Sequence, residues 1–312
     1  MSVIIAGGAG LIGRALAWEL VDSGYEVIVL SRNPQKIQGL PHAVQVMGWD
    51  AQSSAGWGHL ADGAEAIVNL AGESIAGDNF LALILKRWTP ERKRLILQSR
   101  VLAGNAIVQA IHDAKQKPKV VIQSSAVGYY GSRGNEELTE NSPPSSDSIG
   151  KICVQWESAT AAVETIGVRR AIIRTAGVVM SLEGGAFPFM LLPFRLYMGG
   201  PLASGKQWFS WIHYKDQVRA IRFLIEHPSA SGAFNLSAPQ ALTNFELSKA
   251  LGRVMRRPSF VPVPGFALRI LFGEKADLLL GSQRQVPQHL LAMVFKFRFP
   301  EIEAALRDLL KK

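Results

Sequence analysis

The sequence predicts an α/β protein: a doubly wound parallel sheet with a smaller C-terminal lobe. Three observations lead there. Short apolar runs alternate with amphipathic stretches through the first half of the chain. A glycine-rich turn, Gly7-Gly8-Ala9-Gly10-Leu11-Ile12-Gly13, separates the first apolar run from the first amphipathic stretch. The chain has 312 residues, 48% hydrophobic and 19% charged, enough apolar material for one large domain with an appendage.

Taken in order, residues 3–6 read as a strand and residues 11–23 as a helix that ends near Gly24. Residues 26–30, 43–47, 66–70 and 120–123 read as further strands. Between the last two, Thr89-Pro90-Glu91 supplies an N-cap, a proline at the first helical position and an acid in the first turn. It opens a long helix reaching about residue 113. Residues 169–175 form another buried strand. Strands alternating with helices imply parallel pairing through right-handed crossovers. Beyond this the pattern loosens, with glycines and prolines clustered in 183–201 and a loop at 258–265. Thr243-Asn244-Phe245-Glu246 is a capping box opening a helix through Met255. The expected division is a cofactor domain at 1–180 and a substrate-side lobe over most of 181–312, with elements from 205–240 free to return to the first.

Composition narrows the function. The N-terminus starts on a strand without a basic leader, and Cys153 is the only cysteine, so a cytoplasmic, reducing compartment is expected. A lone cysteine also rules out an intramolecular disulfide and a two-cysteine zinc site, and no metal is expected. No apolar run is long enough for a membrane span, and no membrane partner is expected. The net charge of +9 attracts anions. Its lysines and arginines are dispersed, however, which favours a phosphorylated cofactor and a small-molecule substrate over nucleic acid.

The glycine turn fits both G-x-G-x-x-G and G-x-x-G-x-x-G. Such turns need glycine for tightness, for close approach of the backbone to a pyrophosphate, and for helix-to-sheet packing. The helix start at Leu11, Ile12 and Gly13 then offers unpaired N–H groups to phosphate. A strand–turn–helix of this kind marks a Rossmann domain that binds a dinucleotide through Gly7, Gly10, Leu11, Ile12 and Gly13. Ser31-Arg32 follows the second strand, where an NAD enzyme tends to carry an acid. A hydroxyl and a guanidinium can both donate to a 2′-phosphate, so NADP(H) is the expected cofactor, the alternative being that Arg32 is a solvated loop charge.

Further segments carry a resemblance. They are Val68-Asn69-Leu70-Ala71-Gly72, then Ser124-Ser125-Ala126-Val127-Gly128-Tyr129-Tyr130-Gly131, then the stretch 207–216 containing Trp208, Trp211 and His213. With Ser31-Arg32, Glu73, Arg87-Trp88, Ser99-Arg100, Trp156-Glu157, Gly199-Gly200-Pro201 and 281–291, they resemble an atypical, sugar-nucleotide-epimerase-like branch of the extended short-chain dehydrogenase/reductases over nearly the whole chain. The resemblance implies cofactor contacts from Leu70, Ala71, Gly72 and Arg100, with residues near Met180 approaching the nicotinamide. Leu70 and Ala71 could equally be core, and Arg100 could pair with a surface acid. Trp156 and Trp211 read as packing residues, and His213 as a structural hydrogen-bonding residue.

That superfamily works through Tyr-x-x-x-Lys, in which the lysine and the cofactor lower the tyrosine's pKa for acid–base chemistry. Matching Glu157 to the glutamate that often follows the pair puts Ile149 at the tyrosine position and Cys153 at the lysine position. Neither can substitute, and Lys151 falls on another helical face. Ser125 remains as the catalytic serine candidate, with Ser124 grouped with the cofactor contacts and taking its place if the register slips by one. Tyr129 and Tyr130 are candidate substitute acids, and Glu140 reads as either an acid of the loop or a helix-start residue. The sequence therefore predicts an NADP(H)-binding epimerase or oxidoreductase acting on a nucleotide-linked or other small hydroxylated substrate. Its rival is a non-catalytic NADP(H)-binding protein read by another protein. A homodimer is allowed but not specified.

Overall fold

The computed structural model describes residues 1–75 and 88–311, so Arg87 lies outside the described residues. Seven strands form one sheet: β1 (Ser2–Ala6), β2 (Glu26–Ser31), β3 (Gln45–Gly48), β4 (Ala66–Asn69), β5 (Val120–Ala126), β6 (Arg169–Thr175) and β7 (Gly232–Leu236). Their order is β7-β6-β5-β4-β1-β2-β3, and every neighbouring pair is parallel. Winding outward from β1 in both directions gives a doubly wound Rossmann-like α/β fold, with a switch point between β1 and β4.

Two strands differ from the sequence reading by more than a single residue. β3 starts two residues later than expected because Val44 donates back to the Pro41 carbonyl in a turn at 3.1 Å. β5 runs on through Ser124, Ser125 and Ala126, since β6 supplies partners Ile173, Arg174 and Thr175 to all three. Pairing with a neighbour overrides the low strand preference of serine.

Helices α1 (Leu11–Asp22), α2 (Pro90–Asp113), α3 (Ser148–Ser158), α4 (Phe187–Arg195), α5 (Tyr214–Glu226), α6 (Asn244–Met255) and α7 (Ile302–Leu310) cover the sheet and build the lobe. On one face, Leu16, Ala17 and Leu20 of α1 meet Val218, Ile221 and Leu224 of α5 over Val3, Ile5 and Val29. On the other, Ile107, Ala110 and Ile111 of α2 cover Ile4, Ile67 and Val121. Each fully buried leucine or isoleucine contributes about 1.5–3 kcal/mol. Thr89 caps α2 as expected, accepting from the Arg92 amide at 3.2 Å. At α6 both arms of the capping box form, Glu246 N–H to Thr243 Oγ1 at 3.3 Å and Thr243 N–H to the Glu246 carboxylate at 2.7 Å.

A separate apolar core joins α4, α6 and α7 to Met180, Trp211 and Phe299. The sequence reading treated 183–201 as irregular, yet α4 lies within it. Phe187, Leu191 and Phe194 line one face and are buried, and Pro188 sits in the first turn, where its missing N–H costs nothing. Trp211 belongs to this core, its indole N–H bonded to the Gln240 carbonyl at 3.0 Å. His213 caps α5: its Nδ1 accepts from the Lys215 amide at 3.2 Å, and its ring stacks on Tyr214 and Phe299.

Candidate functional site

The glycine turn lies at the carboxyl edge of β1, beside the switch point. Gly7 has φ +81°, and a Cβ there would come within 2.8 Å of the Leu70 carbonyl group. A Cβ on Gly8 would strike the Val29 methyls at 2.7 Å, and one on Gly13 the Gly8 Cα at 2.5 Å. These three glycines are required by the chain's own packing. Gly10 is not: its Cβ would meet only the Gly7 carbonyl oxygen, at an ordinary 3.5 Å. It is an exposed N-cap without a capping side chain, and α1 has no acid in its first turn. The helix start, with Leu11 and Ile12 half-buried beside it, thus presents open backbone and an uncompensated positive dipole end.

Ser31 closes β2 and accepts the Asn33 amide at 3.1 Å. Arg32 is 64% exposed and stands 3.7 Å from Glu73. The loop from Asn69 to Glu73 passes the other side of the turn. Leu70 N–H bonds the Ala6 carbonyl at 2.9 Å. The Asn69 side chain accepts from Ala71 N–H at 3.2 Å and donates to Gln123 at 2.9 Å. Helix α2 fastens the end of this loop: Ser99 Oγ accepts the Glu73 amide at 3.0 Å, and Arg92 pairs with its carboxylate at 3.0 Å. Arg100 donates to the Glu73 carbonyl at 3.1 Å.

Arg100 is not the surface residue that one reading allowed. It is 5% exposed, lies over the Trp156 ring at 4.6 Å, and forms no ion pair among the described residues. Its Nε has no partner among the described residues, and burial lowers its pKa to about 10. A Cβ on Gly72 would stand 3.0 Å from its guanidinium carbon, so that glycine makes room for the cation.

The third wall follows β5 and β6. Ser125 and Arg174 are register partners, and both end on Glu157 of α3. Ser125 Oγ donates to Oε1 at 2.6 Å, while Arg174 donates from Nε and Nη2 at 2.9 and 3.0 Å. Burial opposes the Arg174 charge, but the Glu157 carboxylate outweighs it and the guanidinium's pKa is raised. Arg174 also donates to Tyr130 Oη and the Glu140 carbonyl, each at 3.0 Å, and covers the Tyr129 ring at 3.5 Å. Tyr130 is fully buried, donates to Asn235 at 2.7 Å, and is pushed up to about 12 chiefly by burial. Glu140 is buried and accepts the amides of Asn235 and His289 at 2.9 and 3.2 Å. Tyr129 remains half-buried, and Ser124 is buried beside Ser125.

Ile149 and Cys153 sit one turn apart on the α3 face that carries Glu157. A Cβ on Gly128 would touch the Ile149 Cγ2 at 2.6 Å and lie 3.7 Å from the Cys153 sulfur. Burial, with Glu157 adding to it, pushes the Cys153 thiol up to about 12. Lys151 is exposed on another face. Met180 is fully buried in the lobe core, so any ligand contact there would use its backbone. The chain after it does return to the turn: a Cβ on Gly185 would lie 3.3 Å from the Leu11 side chain.

Sequence reasoning missed Arg174, Asn235, Gln123 and Gly185. A signal existed for the first, since Arg174 interrupts the apolar run Ala171-Ile172-Ile173 of β6. Asn235 likewise interrupts the apolar run Ala233-Phe234-Leu236 of β7, whereas no comparable signal marks Gly185.

A model described as the NAD dependent epimerase/dehydratase family matches residues 3–237, and one described as a domain of unknown function (DUF1731) matches 263–309. The chain is 36% identical over 313 residues to a chloroplastic epimerase family protein of Arabidopsis thaliana, a homolog of SDR39U1, covering 100% of this chain and 87% of the relative. The human epimerase family protein SDR39U1 (isoform 2), solved with NADPH, superposes with a TM-score of 0.87 at 33% identity, covering 100% of both chains. UDP-glucose 4-epimerase of Thermus thermophilus, solved with NAD, superposes at 0.74 with 16% identity, covering 100% of this chain and 98% of that one, a likeness of fold alone. No helix among the described residues is long and apolar enough to cross a membrane.

Proposed function

Because the chain belongs to the NAD dependent epimerase/dehydratase family, we propose that it is an NADP(H)-binding, epimerase- or oxidoreductase-like protein for a nucleotide-linked or other small hydroxylated substrate. The observation that carries the cofactor half is the end of β2, where Ser31-Arg32 stands in place of an acid beside an open Gly10. The residues fit a dinucleotide. Leu11 and Ile12 would offer backbone amides to the pyrophosphate, while Gly7, Gly10 and Gly13 would shape the turn that lets it approach, the Gly7 and Gly10 amides donating to the Leu30 and Gly7 carbonyls. Ser31 and Arg32 would hold the 2′-phosphate, and Leu70, Ala71, Gly72, Arg100 and Ser124 would line the path toward the chain following Met180. When bound, the nicotinamide supplies hydride transfer.

The chain's own residues make an unusual setting for that chemistry. Ser125 gives its proton to Glu157, so toward a substrate hydroxyl it can act only as an acceptor. At the positions read as the tyrosine and lysine, Ile149 cannot titrate and the buried Cys153 stays a neutral thiol. In this reading Tyr129, half-buried under Arg174, would be the phenol that exchanges a proton with a substrate. The competing reading, a non-catalytic NADP(H)-binding protein, draws support from the same network, which commits Ser125, Glu157 and Arg174 to one another.

The dinucleotide that copurifies tests the cofactor, and conversion of nucleotide sugars, read by product analysis for a redox-neutral epimerisation and by the absorbance of NADPH for a net oxidation or reduction, separates the two roles. Turnover lost in Tyr129→Phe with cofactor binding kept supports catalysis. NADPH bound firmly without turnover of any substrate supports the binding role. Equal affinity for NADH and NADPH overturns the cofactor assignment.

A further inference from the structure

We propose that Arg14 is a second determinant of selectivity for the 2′-phosphorylated dinucleotide, acting from α1 while Arg32 acts from the end of β2; this rests on the cofactor reading above. Arg14 follows Gly13 in the first turn of α1. Its guanidinium does not project into solvent but folds back, donating from Nη1 to the Ala9 carbonyl in the glycine turn at 3.0 Å. Its stem lies against the connection that follows β2, since a Cβ on Gly39 would stand 3.6 Å from Arg14 Cδ and 3.9 Å from Nε. Trp18, one turn further along, pins the same connection by donating its indole N–H to the Gly39 carbonyl at 2.9 Å. The cation therefore sits between the glycine turn and the segment leaving β2. In a doubly wound dinucleotide domain those two structures flank the adenosine ribose, whose 2′ position distinguishes NADP from NAD.

The two arginines are held differently. Arg32 is 64% exposed and turned toward Glu73, a carboxylate already paired with Arg92 at 3.0 Å. Arg14 is half-buried and forms no ion pair among the described residues. With one donor on Ala9, the guanidinium keeps others in a fixed plane for a phosphate. Its position is set before the ligand arrives, which lowers the ordering cost of binding.

The test is a fluorescence titration of the full chain with NADPH and with NADH. Arg14→Gln removes the charge and keeps a shorter polar side chain on α1. It should weaken NADPH about ten-fold or more, as expected for losing a charged hydrogen bond, and leave NADH unchanged. Arg14→Lys should retain a preference for NADPH. A parallel loss for both dinucleotides in Arg14→Gln would mean that Arg14 only braces the turn, and unchanged binding of both would mean that Arg32 acts alone. Either result overturns the proposal while leaving the cofactor reading intact. A parent chain that does not prefer NADPH overturns both, and Arg32→Glu, measured alongside, identifies that case by changing nothing.

Discussion

Ser125 on β5 and Arg174 on β6 are direct register partners, and their side chains converge on a single carboxylate, Glu157 of α3. The hydroxyl read from the sequence as the candidate catalytic serine is thereby tied into a buried ion pair. Stability and site geometry are coupled at this point.

Removing Glu157 should show the coupling. Glu157→Ala leaves Arg174 buried without a counter-charge, and about 3–5 kcal/mol of stability should be lost. The double variant Glu157→Gln, Arg174→Met should recover part of it, because no unpaired charge remains. Urea midpoints at constant slope measure both, and a double variant no more stable than Glu157→Ala would contradict the charge argument.

Cofactor choice should follow the end of β2. NADPH should bind at least about ten-fold more tightly than NADH, roughly 1.4 kcal/mol. Arg32→Glu should abolish the preference without unfolding the protein, which circular dichroism run beside the titrations would verify.

The glycines should separate into two kinds. Gly13→Val drives a side chain into the Gly8 backbone, where a Cβ alone would stand at 2.5 Å, and should destabilise the fold. Gly10→Val meets no such obstacle within the chain, so the protein should stay folded while dinucleotide binding disappears. A thermal melt and an NADPH titration on each variant decide it; a Gly10→Val protein that binds normally would move the site elsewhere.

Acid should weaken the lobe through His213. Burial holds its pKa down at about 4 against an ordinary 6.5, despite Asp308 3.2 Å away. Between those values the unfolded chain binds a proton that the folded chain does not, so stability falls as pH drops from about 6.5 toward 4. Asp308, whose pKa is lowered by Lys215, adds to the loss at the acid end. Urea unfolding at stepped pH should give a slope that flattens in His213→Gln; an unchanged slope would place the titration elsewhere.

The sequence by itself determined what depends on neighbours a few residues apart. The apolar run, glycine turn and helix start at 2–22, the Thr89 and Thr243 caps and the acid-free end of β2 are patterns of residues close together in the chain, which composition and spacing encode directly. Only the tertiary structure decided which glycine is left free for a ligand, that Arg100 is buried, that α4 forms in a proline-rich stretch, and that Ser125 donates to Glu157. The polar network behind Ser125 joins residues 17 to 149 positions apart, as in Arg174 to Glu157 and Glu140 to His289. Each partner there is polar in a buried place, and such a group is stable only where another strand or helix meets it, so its identity cannot be read from the residues beside it in the chain.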